Sequence, residues 1–144
     1  MIACVSKKAS NRQTAEKLYL SDLFKKELRY AREIIQPDDI FILSAKHGLV
    51  KLSEELDPYD LTLNTMLSKE RKAWAEKVLA DLKREADFKR EADFKRDQFV
   101  FLAGNKYRQY LLPVLKQYEI PMMGLKIGEQ LGWLKEQLES KNER

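Results

Sequence analysis

Short apolar runs alternate with longer amphipathic stretches along this chain. Met1-Ile2-Ala3-Cys4-Val5, Ile40-Phe41-Ile42-Leu43 and Phe99-Val100-Phe101-Leu102-Ala103 are rich in apolar residues and read as strands, the second as one buried on both faces. Ile120-Pro121-Met122-Met123 is a weaker strand pattern, assigned to an edge because of its proline. Between them lie helical periodicities. Ser21 has the character of an N-cap, and Leu23, Phe24, Leu28, Ala31, Ile34 and Ile35 follow at three- and four-residue steps until Pro37-Asp38-Asp39. Ser68 opens a helix with Trp74, Val78, Leu79 and Leu82 on one side, which makes Trp74 a core residue rather than a partner anchor. A third helix is expected from Tyr107 to Lys116, interrupted by Pro113. The last carries Ile127, Leu131, Leu134 and Leu138 on one face, around Gly128.

Strands alternating with helices predict an α/β fold: a three-layer sandwich with a mostly parallel central sheet of about four strands, Rossmann-like in its winding. One domain is expected over residues 1–140, with 141–144 a frayed tail. Ligands in such sheets bind beyond the carboxyl ends of the strands, which selects the loops at 6–11, 44–49 and 104–108.

An exact tandem repeat interrupts the pattern: Arg84-Glu85-Ala86-Asp87-Phe88-Lys89, then Arg90-Glu91-Ala92-Asp93-Phe94-Lys95. Six residues rotate a helix by a net ~240°, so the two copies cannot share one face. The segment reads as a duplication carried as a helix extension or a loop, and as a place where domain swapping can begin.

Composition narrows the classes. At 44% hydrophobic and 35% charged, the chain reads as soluble and globular. It shows no span-length apolar run and no signal-peptide pattern, so a cytoplasmic location and no membrane partner are expected. Cys4 is the single cysteine, which excludes an intramolecular disulfide and reads as a buried structural thiol. The formal charge of +4 is interleaved and does not by itself mark a nucleic-acid binder.

The polar residues at the strand ends carry the candidate chemistry. Ser6, Lys7 and Lys8 offer an anion site, although no Walker or Gly-x-Gly-x-x-Gly sequence is present. In Ser44-Ala45-Lys46-His47-Gly48 the only histidine follows a hydrophobic strand, where a general acid or base is of use. His47, Asp60 and Lys46 are the catalytic candidates. Asp60, in Pro58-Tyr59-Asp60-Leu61-Thr62, either orients His47, activates a water, or only caps a turn. Ser6, Lys7, Lys8, Ser44, Gly48, Tyr59, Thr62, Asn105 and Arg108 are candidates for binding substrate or phosphate. Asn105 is alternatively a helix N-cap. No cofactor is expected, and one Cys with one His cannot close a zinc site.

The strings Ala3-Cys4-Val5-Ser6-Lys7-Lys8, Ala15 to Phe24, Ile42-Leu43-Ser44-Ala45-Lys46-His47-Gly48-Leu49 and Pro58-Tyr59-Asp60-Leu61-Thr62-Leu63 resemble a family of small bacterial and phage proteins of unknown function. The resemblance covers nearly the whole chain, and the repeat at 84–95 departs from the family pattern. A more distant resemblance is to the uracil-DNA-glycosylase-like domain of archaeal tRNA-guanine transglycosylase relatives, which share a Cys-Ser-type strand end followed by Tyr and Ser. It implies action on a nucleotide or nucleobase, by hydrolysis or transfer at an N-glycosidic bond. Two other readings stand beside it: a non-catalytic nucleotide- or nucleic-acid-binding module, and a phage accessory protein acting through protein contacts.

Overall fold

A computed structural model describes residues 1–84, 94 and 96–142. In chain order the elements are β1 (Ile2–Ala3), β2 (Gln13–Thr14), α1 (Ala15–Leu18), α2 (Asp22–Tyr30), a π-helical turn (Ala31–Ile35), β3 (Phe41–Ser44), β4 (Gly48–Lys51), β5 (Glu55–Leu56), a 3₁₀ turn (Leu63–Thr65), α3 (Ser68–Arg84), β6 (Gln98–Val100), α4 (Asn105–Arg108), a second 3₁₀ turn (Leu112–Val114), β7 (Gln117–Glu119) and α5 (Ile127–Asn142). Most of the repeat at 84–95 lies outside the described residues.

The fold is α/β, but not a mostly parallel, Rossmann-like sheet of four strands. The strands form a three-stranded mixed sheet in the order β1-β3-β4 and two separate two-stranded ladders, β2-β5 and β6-β7. β1 pairs with β3 in parallel, whereas β3 and β4 are antiparallel, with Ser44 opposite Gly48. The physical cause is the turn after β3. Gly48 takes φ +74°, a left-handed conformation that glycine adopts at little cost, so the chain doubles back over Ala45-Lys46-His47 instead of crossing over through a helix. A tight hairpin makes its neighbour antiparallel of necessity. Gly48 and Leu49, assigned from the sequence to the loop at 44–49, therefore open a strand, Gly48–Lys51.

The third and fourth expected strands are also redrawn. Of the 99–103 run only Phe99 and Val100 fall in a named strand, β6, whose partner is Gln117–Glu119. Leu102 makes an isolated parallel bridge to Ile2. Ile120–Met123 turns, with the Met123 amide donating to Ile120 O at 3.0 Å. The helix expected through Lys116 is the four-residue α4 followed by the 3₁₀ turn containing Pro113.

Helix α2 starts where its cap predicts: Ser21 Oγ accepts from the Phe24 amide at 3.1 Å. It buries Phe24, Leu28 and Tyr30, and α5 packs along it, with Trp133 edge-on to Tyr30. Helix α3 packs against β4 and buries Trp74, Val78 and Leu82. Ile2, Phe24, Ile42, Leu43, Val50 and Phe101 are among the most deeply buried side chains. Among the described residues, no helix is long and apolar enough to cross a membrane.

Candidate functional site around Tyr59

The carboxyl ends of β1 and β3 are neighbours because the two strands are parallel, and each hands its next residues to the same region. After β1, Lys7-Lys8-Ala9 runs antiparallel to Leu18-Tyr19-Leu20. Leu20 N donates to Lys7 O and Ala9 N to Leu18 O, both at 2.8 Å, so Lys8 lies beside Tyr19. After β3, Ser44 is fully buried and the hairpin tip carries His47. Pro58 then delivers Tyr59, half-buried, into the space between them.

A chain of hydroxyls organises this space. Tyr19 and Tyr59 hydroxyls are 2.6 Å apart, and Ser44 Oγ is 2.8 Å from that of Tyr59. Ser44 Oγ also accepts from the His47 amide at 3.0 Å, while Trp74 Nε1 donates to Ser44 O at 2.8 Å. One buried serine thus ties the hairpin tip, Tyr59 and α3 together. The His47 ring meets the Tyr59 ring edge-on at 5.5 Å, and Lys8 Nζ lies 4.4 Å from the Tyr59 ring centre. The only histidine and one of the N-terminal lysines therefore share one aromatic ring.

A second polar knot lies beneath. Cys4 Sγ accepts from the Ala45 amide at 3.4 Å and is 3.4 Å from the Tyr107 hydroxyl. That hydroxyl accepts from the Leu63 amide and lies 3.4 Å from Thr62 Oγ1. The buried thiol expected of Cys4 is a junction between β1, the hairpin tip and α4.

Burial sets the protonation states. It pushes Tyr59 well above the usual phenol range and raises Tyr19 and Tyr107 to about 12, so all three are neutral hydrogen-bonding groups and none is a base. Burial lowers Lys8, against the opposing pull of Cys4 and Asp60. His47 is lowered by burial and then by Lys46 and Lys77, which makes its ring predominantly neutral at pH 7. Lys77 Nζ also donates to His47 O at 3.1 Å.

The sequence candidates divide accordingly. Lys8, His47 and Tyr59 come together. Lys46 is exposed beside His47, and Asp60 is exposed and acts electrostatically on Lys8. Ser44 and Gly48 are buried scaffold. Thr62 Oγ1 accepts from the Asn64 amide and caps the 3₁₀ turn. Ser6 and Lys7 are exposed, and Ser6 O lies 3.5 Å from Lys8 Nζ. Arg108 Nη1 is bound to Ala103 O at 2.6 Å, and Gly104, not Asn105, holds the N-cap position of α4. No hydrogen bond or ring contact joins Asn105 or Arg108 to Tyr59. Among the described residues no cluster of three or more His, Cys, Asp or Glu is placed to hold a metal ion.

Sequence reasoning missed Tyr19, Trp74 and Tyr107 as parts of this site. The signal for Tyr19 was the paired short segments around Lys8 and Tyr19, each too brief to read as a strand. Trp74 and Tyr107 carry no signal beyond helical spacing, because their polar atoms are used against backbone or sulfur far away in sequence.

Comparison with known proteins returns no match among curated proteins or solved structures. The family model for DUF6884, a family of unknown function, matches residues 1–136, and the chain accordingly belongs to that family.

Proposed function

We propose that this protein is an enzyme handling a nucleotide or nucleobase by hydrolysis or transfer at an N-glycosidic bond, with its site at the rim formed by Lys8, His47 and Asp60 around Tyr59. The observation that carries the reading is the convergence of Lys8 and His47, from the loops after two neighbouring parallel strands, on the Tyr59 ring. A neutral imidazole suits hydrogen bonding to a departing base, or taking a proton from the attacking nucleophile. The exposed carboxylate of Asp60 suits activation of water and stabilisation of a cationic sugar carbon. Lys7 and Lys46, both exposed, supply charge for phosphate. The neutral phenols below hold the ring that these groups share. The distant sequence resemblance to uracil-DNA-glycosylase-like domains implies the same class of reaction.

The test is turnover of nucleosides, nucleotides and modified DNA by the wild type, His47→Ala and Asp60→Asn. A positioned general acid or base contributes roughly 10²–10⁴-fold, so each variant should lose at least about 100-fold. Turnover unchanged in His47→Ala removes the imidazole from the mechanism. Binding to DNA or RNA that weakens steeply with salt, without turnover of any substrate, would favour a non-catalytic module using Lys7, Lys46 and Lys77.

A further inference from the structure

Lys8 is the unusual cation of this rim. The residue is half-buried, and its Nζ lies over two aromatic rings, 4.4 Å from the Tyr59 centre and 5.8 Å from that of Tyr19. Its hydrogen bond is a 3.5 Å contact to Ser6 O, at the long limit for such a bond. Among the described residues no carboxylate lies within ion-pair distance of it, whereas Arg12, Arg29 and Arg32 are all paired. The ring faces attract the ammonium form and burial opposes it, while no carboxylate among the described residues holds the charge in an ion pair, so Lys8 shares Tyr59 with His47 as an amine with weak partners, as nucleophilic lysines are placed.

We infer that Lys8 is a covalent nucleophile of the reaction, attacking the anomeric carbon of the substrate and passing through an imine with the opened sugar. This inference rests on the N-glycosidic reading above and names the class of reaction within it. The lone pair of Nζ attacks C1′ as the bond from C1′ to the base nitrogen breaks. The base leaves with that bonding pair and with the proton shed by the amine, carried by His47, the titratable ring sharing Tyr59. The C1′–O4′ bond then opens: its electron pair stays on O4′, which takes a proton from water, while the nitrogen lone pair forms the C1′=N bond of a protonated imine. Water hydrolyses the imine, returning the amine and a proton and leaving an aldehyde sugar. No oxidant or reductant is consumed. The lowered proton affinity that burial gives Lys8 increases the fraction of free amine. The groups facing it, Cys4 and Asp60, oppose that shift without outweighing it.

The experiment is reductive trapping on the full-length protein. An oligonucleotide with an abasic site presents the aldehyde that follows base loss, and pyridoxal 5′-phosphate presents an aldehyde independent of nucleic acid. Each is incubated with the protein and sodium borohydride, and the adducts are mapped by peptide mass. The expected result is a one-to-one adduct at Lys8 with both probes, at least 10-fold above Lys7 and Lys46, and its loss in Lys8→Arg and in Lys8→Met. The arginine variant keeps the charge over Tyr59, so circular dichroism identical to wild type separates lost chemistry from lost fold. Adducts spread over surface lysines, or unchanged in Lys8→Arg, would overturn the inference. Selective labelling of Lys8 by pyridoxal phosphate, with no oligonucleotide adduct and no base release, would show a reactive amine but overturn both the glycosidic reading and the nucleophilic step that rests on it. Base release at wild-type rate by Lys8→Arg keeps the glycosidic reading and sinks the nucleophile.

Discussion

The hydroxyls of Tyr19 and Tyr59 stand 2.6 Å apart, and between them they fix the ring that Lys8 and His47 share. Each phenol has one proton, so the pair and Ser44 must hand their donors on in sequence, and deleting one hydroxyl leaves the next underused. Tyr19→Phe and Tyr59→Phe should each cost about 1–2 kcal/mol, and the double variant less than the sum by about 0.5 kcal/mol or more. Urea denaturation of the four proteins measures this. Strict additivity would mean that the two groups do not interact.

Ser44→Ala removes an acceptor from the His47 amide and a partner from Tyr59 at a fully buried position. A loss of about 1–3 kcal/mol is expected from the groups left unsatisfied. In turnover, the variant should lower kcat with His47 still present, because the hairpin tip is no longer tied to Tyr59. A variant as stable as wild type would show that water replaces the hydroxyl.

Gly48→Ala tests the hairpin. A Cβ there meets Asp81, Lys77 and Val78 atoms at 3.5–3.6 Å, which is ordinary contact. The cost therefore comes from the backbone at φ +74°, about 1 kcal/mol for a non-glycine residue. A melting temperature within a degree of wild type would contradict this account.

Glu27 predicts a pH signature. Burial raises Glu27 from 4.5 to about 8. Between pH 5 and 8 the folded state holds a proton on Glu27 that the unfolded chain has lost, so this group makes stability fall as pH rises. Glu27→Gln removes that dependence, and its stability should rise from pH 5 to pH 8 relative to wild type by on the order of 2 kcal/mol. Parallel pH profiles for the two proteins would refute it.

Much of this fold was legible where one element is decided by its own residues. The Ser21 cap and the spacing through Leu28 specify α2, and the unbroken run Phe41-Ile42-Leu43 specifies β3. The sheet was misread because its topology turns on one residue, Gly48, whose left-handed backbone sends the chain back antiparallel. Within the site, His47, Lys8 and Tyr59 were singled out by their places after strands or turns. Tyr19 and Trp74 were not, because what matters in them is a partner 30 or 40 residues distant, Ser44 O for Trp74 and the Tyr59 hydroxyl for Tyr19. Ser44, read as a phosphate contact, is instead interior because the hairpin folds over it.

The layering of this site has an evolutionary corollary. Its hydroxyl network is enclosed and interdependent, while Lys7 and Lys46 project into solvent from positions that the network does not use. Those two outer residues can change one at a time, altering specificity on an unchanged interior. Swaps at Tyr19, Ser44 or Tyr59 would have to arrive together.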